Sequence, residues 1–314
     1  ERKDRSQVVL EVKKLYYGLQ LASEVSSLVK DAIKKINNKL AEEEAKEVSD
    51  VSPIDLIKLK LFRQDLTKRL REIEDKQKLA QQGLRIQLGL SEGESYRLST
   101  YKLKPASFAL NSSESYVNKT WEQHPDSQLV DIGVEVRKHQ YQLQKKQLRP
   151  KAGVGAFIDV GQTVTGVSGL TNTDDFSKPF NYTRAGIGLQ ISGKIDFHGA
   201  LARIRKSRAE YFKASLERSL AKQGLELRAN KMFLTAKRAR DEVRRAEKRK
   251  SLARQMYFLT KSNRDLGIGD DEKYADALKL LLLSRGEYFK TVFYYNVQVA
   301  ELDRATGMDV NQEQ

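Results

Sequence analysis

The chain has 314 residues, a formal net charge of +15 and no cysteine. Its 39% hydrophobic and 32% charged residues, its five prolines and a mean hydropathy of -0.61 are typical of long solvated helices with a narrow apolar stripe. The lack of cysteine excludes a disulfide framework, a thiolate zinc site and a cysteine nucleophile. No stretch approaches the roughly 20 apolar residues of a transmembrane helix, so a membrane crossing would require strands closed into a barrel.

The first 90 residues are predicted to form an antiparallel coiled-coil hairpin. Between Lys3 and Lys46, apolar residues recur at spacings of four and three, which indicates a heptad seam. The seam residues are Val8, Val12, Leu15, Leu19, Ala22, Val29, Ile33, Ile36 and Leu40. Ser52 supplies an N-cap and Pro53 a first helical position, so a second helix is expected to begin there. Gly89 suits the C-terminal stop of that helix.

Two further segments separate this hairpin from the rest of the chain. Residues 91–124 are polar and turn-rich, which predicts a connector with little regular structure and a short helix around Glu114 to His124. Pro125 and Asp126 then open another helix, which stops before Pro150. These segments are assigned as a connector (91–124) and a helix that leads into the second half (125–150).

The hydrophobic period changes to two in residues 151–193. In 151–165 and again in 182–192, apolar residues alternate with small or polar ones, which predicts two strands. Each is long enough to cross a hydrocarbon core when tilted. The loop between them, Gly166 to Asn181, is longer than a tight hairpin turn, as loops on one side of an outer-membrane barrel are. An ordinary hairpin packed on a helix explains the same alternation.

Residues 194–307 are predicted to form a second and much longer helical hairpin, followed by a tail at 308–314. One helix runs from about Gly199 to Asn263, a glycine-containing turn follows, and a return helix covers Glu272 to Thr306. Both hairpins end alike, because Leu84 and Leu302 each precede a closing glycine by five residues. This similarity suggests an internal repeat of helix, turn and helix.

Residues 151–307 resemble the second structural repeat of a TolC-like outer-membrane efflux protein. In that family the return helix ends with an aromatic residue, Tyr-Asn, a small residue, Leu and a final Gly. The matching residues here are Tyr294, Tyr295, Asn296, Ala300, Leu302 and Gly307. His124, Pro125 and Asp126 are similar to the start of that repeat, and 52–89 to the end of the first repeat.

The sequence departs from the family pattern in two places. The family has two strand pairs in each protomer and this sequence shows one, so we expect an amino-terminal truncation that removed a signal segment and the first strand pair. In addition, the segment from Ser192 to His198 lacks the proline and paired glycines that are common where the second strand meets its helix. The second departure affects the position of that boundary.

The resemblance implies a mainly α fold with a membrane β-hairpin. Long coiled-coil helical hairpins join strands that contribute to a trimeric barrel in the outer membrane, and the helices extend into the periplasm. The implied function is passive conduction in a tripartite efflux pump or type I secretion system, as a homotrimer with a periplasmic adaptor and an inner-membrane transporter, surrounded by outer-membrane lipid. No catalysis and no cofactor are implied.

The resemblance also places candidate pore residues. Counted back from Gly307, Asp276 falls where the family has a constricting carboxylate at the helical tip, and Lys273 replaces its companion; Asp270 and Asp271 lie nearby. Barrel-lumen candidates on the polar strand faces are Asp159, Arg184 and Gln190, and candidates for an interfacial aromatic girdle are Phe180 and Tyr182. The plainer interpretations are acids stabilised by a helix dipole and loop-adjacent aromatics of a soluble hairpin.

A rival interpretation starts from the charge. Between Arg203 and Arg254 there are 18 Lys or Arg and 6 Asp or Glu, which would suit a basic coiled coil that binds nucleic acid or an anionic membrane. A nucleic-acid partner is not expected, because the basic residues spread around the helix and aromatics are scarce among them. A soluble efflux adaptor would need a lipoyl-like strand domain that the sequence does not show. The three histidines share no ligand spacing, so no metal site is predicted.

Overall fold

The computed structural model describes residues 2–45, 53–91, 94–107, 110, 112–161, 182–193, 197–266, 268 and 271–307. Each predicted helix and strand is present in these ranges. In chain order they are α1 (Arg2–Glu44), α2 (Pro53–Gln87), α3 (Ser113–Gln123), α4 (Pro125–Gln147), β1 (Lys151–Gly161), β2 (Tyr182–Ser192), α5 (Phe197–Asp265) and α6 (Asp271–Thr306). The predicted loop from Gly166 to Asn181 lies outside the described residues. Among these helices, none has an apolar stretch long enough to cross a membrane.

The chain divides into two compact units, one made of residues 1–128 and 221–314 and the other of residues 129–220. In the first unit, α1 packs against both α2 and α6. Its contact with α2 is an apolar cluster that includes Ile36, Leu40 and Leu66. Its contact with α6 includes an ion pair of 3.0 Å between Lys14 Nζ and Glu301 Oε1. Packing on two neighbours explains why every residue from 11 to 25 is at least half-buried.

The predicted seam of α1 is correct over most of its length and wrong at its start. Leu19, Ile36 and Leu40 are buried, but Val8 is 43% exposed and Leu10 is buried instead. The reason is the length of α2. Its last turns lie beside Leu15, where a Cβ on Gly83 would be 3.4 Å from the leucine side chain, and the helix ends at Gln87. No turn of α2 therefore reaches the level of Val8.

Three apolar clusters join α5 and α6 along the first unit. In one of them, large side chains of α6 pack against smaller ones of α5, as where Val292 and Tyr295 meet Ala239 and Val243. In the cluster nearest the tip the sizes are reversed, because Tyr257 of α5 packs with Ala277 of α6. The seam of α6 keeps heptad spacing through Leu281, Tyr288, Val292, Tyr295, Val299 and Leu302. The helices of this unit therefore form a row in the order α2, α1, α6, α5, which closes up near the start of α6, where Lys58 of α2 also contacts Glu272.

The second unit contains most of α4, the strand pair and the start of α5. Arg218 and Arg137 form ion pairs with Asp131 and Glu210, which join α4 to α5. The two strands pair antiparallel along their whole length, from Lys151 opposite Ser192 to Gly161 opposite Tyr182. The predicted strand pair is thus present with continuous pairing and no bulge.

Candidate functional site

The helical tip is held together by a pair of tyrosines. The hydroxyls of Tyr257 on α5 and Tyr274 on α6 are 3.3 Å apart, and the guanidinium of Arg264 lies 4.7 Å from the Tyr274 ring centroid. Burial, followed by the contact with Tyr257, raises the pKa of Tyr274 well above its usual value. The hydroxyl therefore stays protonated at ordinary pH, and the hydrogen bond between the helices is retained.

The predicted constriction residues lie on the first turns of α6. Lys273 and Asp276 are both exposed, one turn apart. Asp270 and the side chain of Asp271 lie outside the described residues. Glu272 beside them is joined to Lys58 of α2 by an ion pair of 3.5 Å.

Asp276 also borders a groove of about 270 Å³ between α1, α2 and α6. The groove has an apolar floor that includes Ile36, Leu59 and Leu278. Its charged lining residues are Lys35, Lys39, Lys58, Lys279, Glu272 and Asp276. The described part of the tip is consequently mixed in charge, with more lysines than carboxylates around Asp276.

The strand pairing places the predicted lumen residues on one face. Asp159 is directly opposite Arg184, and Gln190 is opposite Gly153. Tyr182, opposite Gly161, shares this face, and the guanidinium of Arg184 lies 4.4 Å from the centroid of its ring. Phe180 lies outside the described residues. We call this side the polar strand face, because it brings together three lumen candidates and one of the two aromatic candidates.

Phe157 is an exception on the polar strand face that sequence alternation did not single out. Its ring covers Gly186 of the other strand, where an added Cβ would lie 2.9 Å from two ring carbons. An aromatic ring that covers a cross-strand glycine stabilises a strand pair that glycine would otherwise weaken. A structural role on this face therefore accounts for both residues.

The opposite side, the apolar strand face, carries Val154, Ile158, Val160, Ile187, Leu189 and Ile191. These side chains are highly exposed, up to 83% for Ile187. A row of apolar side chains on one face and polar or small ones on the other is the pattern of a strand between lipid and an aqueous lumen.

The family-motif residues at the end of α6 have a clear structural role. The Asn296 side chain is buried; its Oδ1 accepts from the Ala106 backbone N–H at 2.8 Å and its Nδ2 donates to the Lys104 carbonyl at 2.9 Å. Tyr295, Ala300 and Leu302 are buried, whereas Tyr294 is 49% exposed. The Asn296 amide thus holds the connector against α6 with one accepted and one donated hydrogen bond to its backbone, as the backbone of a neighbouring strand would.

The connector is more ordered than the sequence suggested. The described residues 94–107 contain no helix or strand, as predicted, but Leu103 is buried in the cluster between α5 and α6. The Gln20 side chain donates to the Thr100 carbonyl, and Glu24 accepts from the Leu103 N–H. The sequence contains one indication of this order. Asn296 stands among the apolar residues of α6, and a buried side-chain amide requires hydrogen-bond partners.

Gly307 joins the two parts of the sequence that resemble the family. Its φ is 73°, and a Cβ at this position would lie 2.7 Å from the Gln123 carbonyl oxygen and 3.0 Å from the His124 backbone nitrogen. His124 begins the segment before α4, where its Nδ1 accepts from the Asp126 N–H at 3.1 Å. The end of α6 therefore lies directly against the start of the second repeat, and only glycine fits there.

No protein-family model and no curated protein matches the chain. Solved structures do match it. The outer-membrane channel OprN superimposes on 98% of this chain and 67% of its own, with a TM-score of 0.77 and 13% identity. The open state of the Neisseria gonorrhoeae MtrE outer membrane channel likewise superimposes on 98% of this chain and 67% of its own, with a TM-score of 0.77 and 12% identity.

The Campylobacter jejuni CmeC outer membrane channel also superimposes on 98% of this chain, and on 63% of its own, with a TM-score of 0.71 and 14% identity. The chain thus spans about two thirds of the length of these channels. The resemblance seen in the sequence is confirmed at the level of the fold. The chain has the fold of the TolC-like outer-membrane channels.

Proposed function

We propose that this protein is the channel-tunnel component of a tripartite efflux pump or type I secretion system in the bacterial outer membrane. It conducts its substrate passively and catalyses no reaction. The observation that carries the proposal is the strand pair, whose continuous register separates an exposed apolar face from a polar one. Each strand has 11 residues, the length that crosses a hydrocarbon core when tilted.

A two-stranded sheet cannot span lipid alone, because its outer edges have unpaired backbone groups that hydrocarbon does not satisfy. In the TolC-like family each protomer has two strand pairs, and the strands of three protomers pair edge to edge to close one barrel. The strand pair of this chain would take the place of one of those pairs in the proposed homotrimer. In that arrangement the apolar strand face contacts outer-membrane lipid, and Asp159, Arg184 and Gln190 line the lumen.

The helices of the first unit also present surfaces suited to further copies. The outer side of α2 has an exposed apolar stripe, the α2 outer stripe, formed by Ile54, Ile57, Leu61, Leu79 and Ile86. The outer side of α5 has a similar one, the α5 outer stripe, formed by Leu227, Leu234, Leu252, Leu259 and Leu266. Because α2 and α5 are the two end helices of the row, a ring of copies would pair one stripe with the other.

The two outer stripes lie at matching levels along the helix axes. Contacts of α2 with α6 (Lys58 and Glu272) and of α6 with α5 (Tyr274 and Tyr257) place Leu61 of α2 near the level of Leu259 of α5. At the other end of the helices, Gly83 of α2 lies beside Leu15 of α1, and Phe233 of α5 packs with Leu302 of α6. These contacts place Gly83 near the level of Phe233. Rotation about an axis parallel to the helices keeps these levels, so apolar residues of one stripe meet apolar residues of the next.

The proposed partners are a periplasmic adaptor and an inner-membrane transporter that deliver the substrate. The support for them is the fold together with the helical tip, where exposed groups of α6 lie beside a groove with an apolar floor. The proposed constriction is formed by Asp276 and Lys273, together with Asp270 and Asp271, which precede them in the sequence.

Two measurements on the purified protein test the proposal. Light scattering in detergent should give the mass of three copies, and planar bilayers should show discrete single-channel steps. A monomer that adds no conductance to bilayers would contradict the channel. The basic coiled-coil alternative predicts DNA binding that weakens steeply with salt, and the channel predicts no DNA binding even at low salt.

A further inference from the structure

The concentration of positive charge on α5 is not explained by the conduction of an unspecified substrate. Residues 221–265 of this helix contain 14 Lys or Arg and 5 Asp or Glu. Three of the acids form ion pairs within the helix, Glu242 with Arg245, Glu247 with Lys250 and Asp241 with Arg244. Each pair neutralises one base and one acid, so the excess of nine basic residues remains.

The excess is present on both sides of the packed seam. The seam repeats every seven residues through Ala229, Ala236, Val243 and Tyr257, which face α6. By helical geometry, Arg228 and Arg249 lie on one side of it together with Glu242, and Lys237 and Arg244 lie on the other. All four basic side chains are exposed.

A single row of helices has two broad surfaces, and in a closed duct one of them faces the lumen. Because both surfaces of α5 are positive, the part of the lumen wall that α5 contributes is positive whichever surface faces inward. At the tip the signs are mixed, because lysines outnumber carboxylates in the groove around Asp276, while Glu42 and Glu44 end α1 and Asp265 ends α5. On the polar strand face, Asp159 is balanced by Arg184.

We propose that this duct conducts anions in preference to cations, and that its cargo is an anionic solute. This inference rests on the proposed channel function. A pore lined by one sign of charge concentrates ions of the opposite sign, and rings of Lys or Arg select anions. In a symmetric assembly each basic side chain recurs in every copy and forms such a ring.

The test is the zero-current potential of the protein in a planar bilayer under a KCl gradient. A chloride permeability above that of potassium is expected in dilute salt. The ratio should fall toward one as both solutions approach 1 M, where the screening length shrinks to about 3 Å. Replacement of chloride by gluconate then shows whether a larger organic anion also passes.

Two double variants act as matched controls for each other. R228Q/R249Q neutralises one surface of α5 and K237Q/R244Q the other, and neither changes the α5 outer stripe. One of them is expected to reduce the chloride-to-potassium ratio by about half, and the other to leave it unchanged. The variant with the effect identifies the lumen surface.

Two results would overturn the inference while leaving the channel intact: a conducting protein that prefers potassium, or a ratio that neither double variant changes. Absence of any conductance would instead contradict the proposed function, and the inference with it. Helical circular dichroism and the mass in detergent confirm that each variant is folded and assembled before its ratio is compared.

Discussion

At the scale of single residues, the two closing glycines have different reasons to be glycine. Gly89 and Gly307 both have positive φ, 68° and 73°. Gly89 ends α2 with the hydrogen bonds of a Schellman motif, from its own N–H to the Ile86 carbonyl and from the Leu90 N–H to the Arg85 carbonyl. A Cβ on Gly89 would meet nothing within 4 Å, whereas one on Gly307 would collide with backbone.

This difference predicts unequal effects of the same substitution. Gly89→Ala should lower the free energy of unfolding by about 1–2 kcal/mol, the cost of a left-handed alanine. Gly307→Ala should lower it clearly further, because the backbone around Gln123 must also move. Thermal unfolding of the detergent-solubilised protein, followed by circular dichroism, compares the two variants. Equal losses would show that the end of α6 tolerates a side chain.

The Asn296 amide predicts a second effect at this scale. Asn296→Ala leaves the Lys104 carbonyl and the Ala106 N–H without their partner and should lower the free energy of unfolding by about 1–3 kcal/mol. It should also expose the connector, so limited proteolysis near residues 104–106 should become faster. Asn230→Ala is the matched control, because its amide oxygen accepts from the exposed hydroxyl of Ser113. Similar proteolysis of the two variants would argue against a fixed connector.

The proposed constriction gives a prediction about conductance. If Asp276 and Lys273 narrow the pore, Asp276→Ala should raise the single-channel conductance, and Asp276→Ala with Lys273→Ala should raise it further. Glu272→Ala serves as a control, because Glu272 is engaged with Lys58. Recordings in planar bilayers compare the three. Conductance at the wild-type level in both Asp276 variants would remove this residue from the gate.

At the scale of elements, the main result is that α2 and α5 each have two apolar sides. One side packs within the chain, and the other is an outer stripe of exposed leucines and isoleucines. Each stripe is interrupted in its middle by charged residues, which include Glu72 and Asp75 on α2 and Arg245 and Lys248 on α5. At matched heights these groups would face each other with opposite signs, which favours one register over its neighbours.

A cysteine cross-link tests this register. The chain has no cysteine, so Asp75→Cys with Arg245→Cys introduces the only two thiols. Under mild oxidation this pair should form a ladder of disulfide-linked copies on denaturing gels, because the two positions come together between neighbouring chains. Asp75→Cys with Lys231→Cys is the control, since Lys231 lies about 21 Å further along α5. Cross-linking of both pairs alike, or of neither, would contradict the proposed register.

The strand pair shows how far an element can be predicted locally. Alternation in residues 151–161 and 182–192 specified which side chains share a face, because a pleated strand has a period of two. The register itself depended on the pairing. That pairing placed Asp159 opposite Arg184 and Phe157 over Gly186, neither of which follows from one strand alone.

At the scale of the whole molecule, two long helices that are far apart in sequence become neighbours. The sequence predicted two separate hairpins, α1 with α2 and α5 with α6. The structure adds the contact of α1 with α6, through Lys14 and Glu301 among others, and makes one row of four helices. This contact places the outer stripes at the two ends of the row, which is the arrangement that the proposed ring of copies requires.

The sequence by itself determined the order, type and limits of the elements and the resemblance to the channel family. Hydrophobic period, proline and glycine positions and helix caps act over a few residues, so they can be read along the chain. Tertiary structure alone decided that Val8 stays exposed, that Asn296 fixes the connector and that Gly307 lies against Gln123. These depend on contacts between residues many positions apart, whose geometry is set by the packing of helices. A local pattern marks one partner at most, as the asparagine among the apolar residues of α6 does, and does not identify the other.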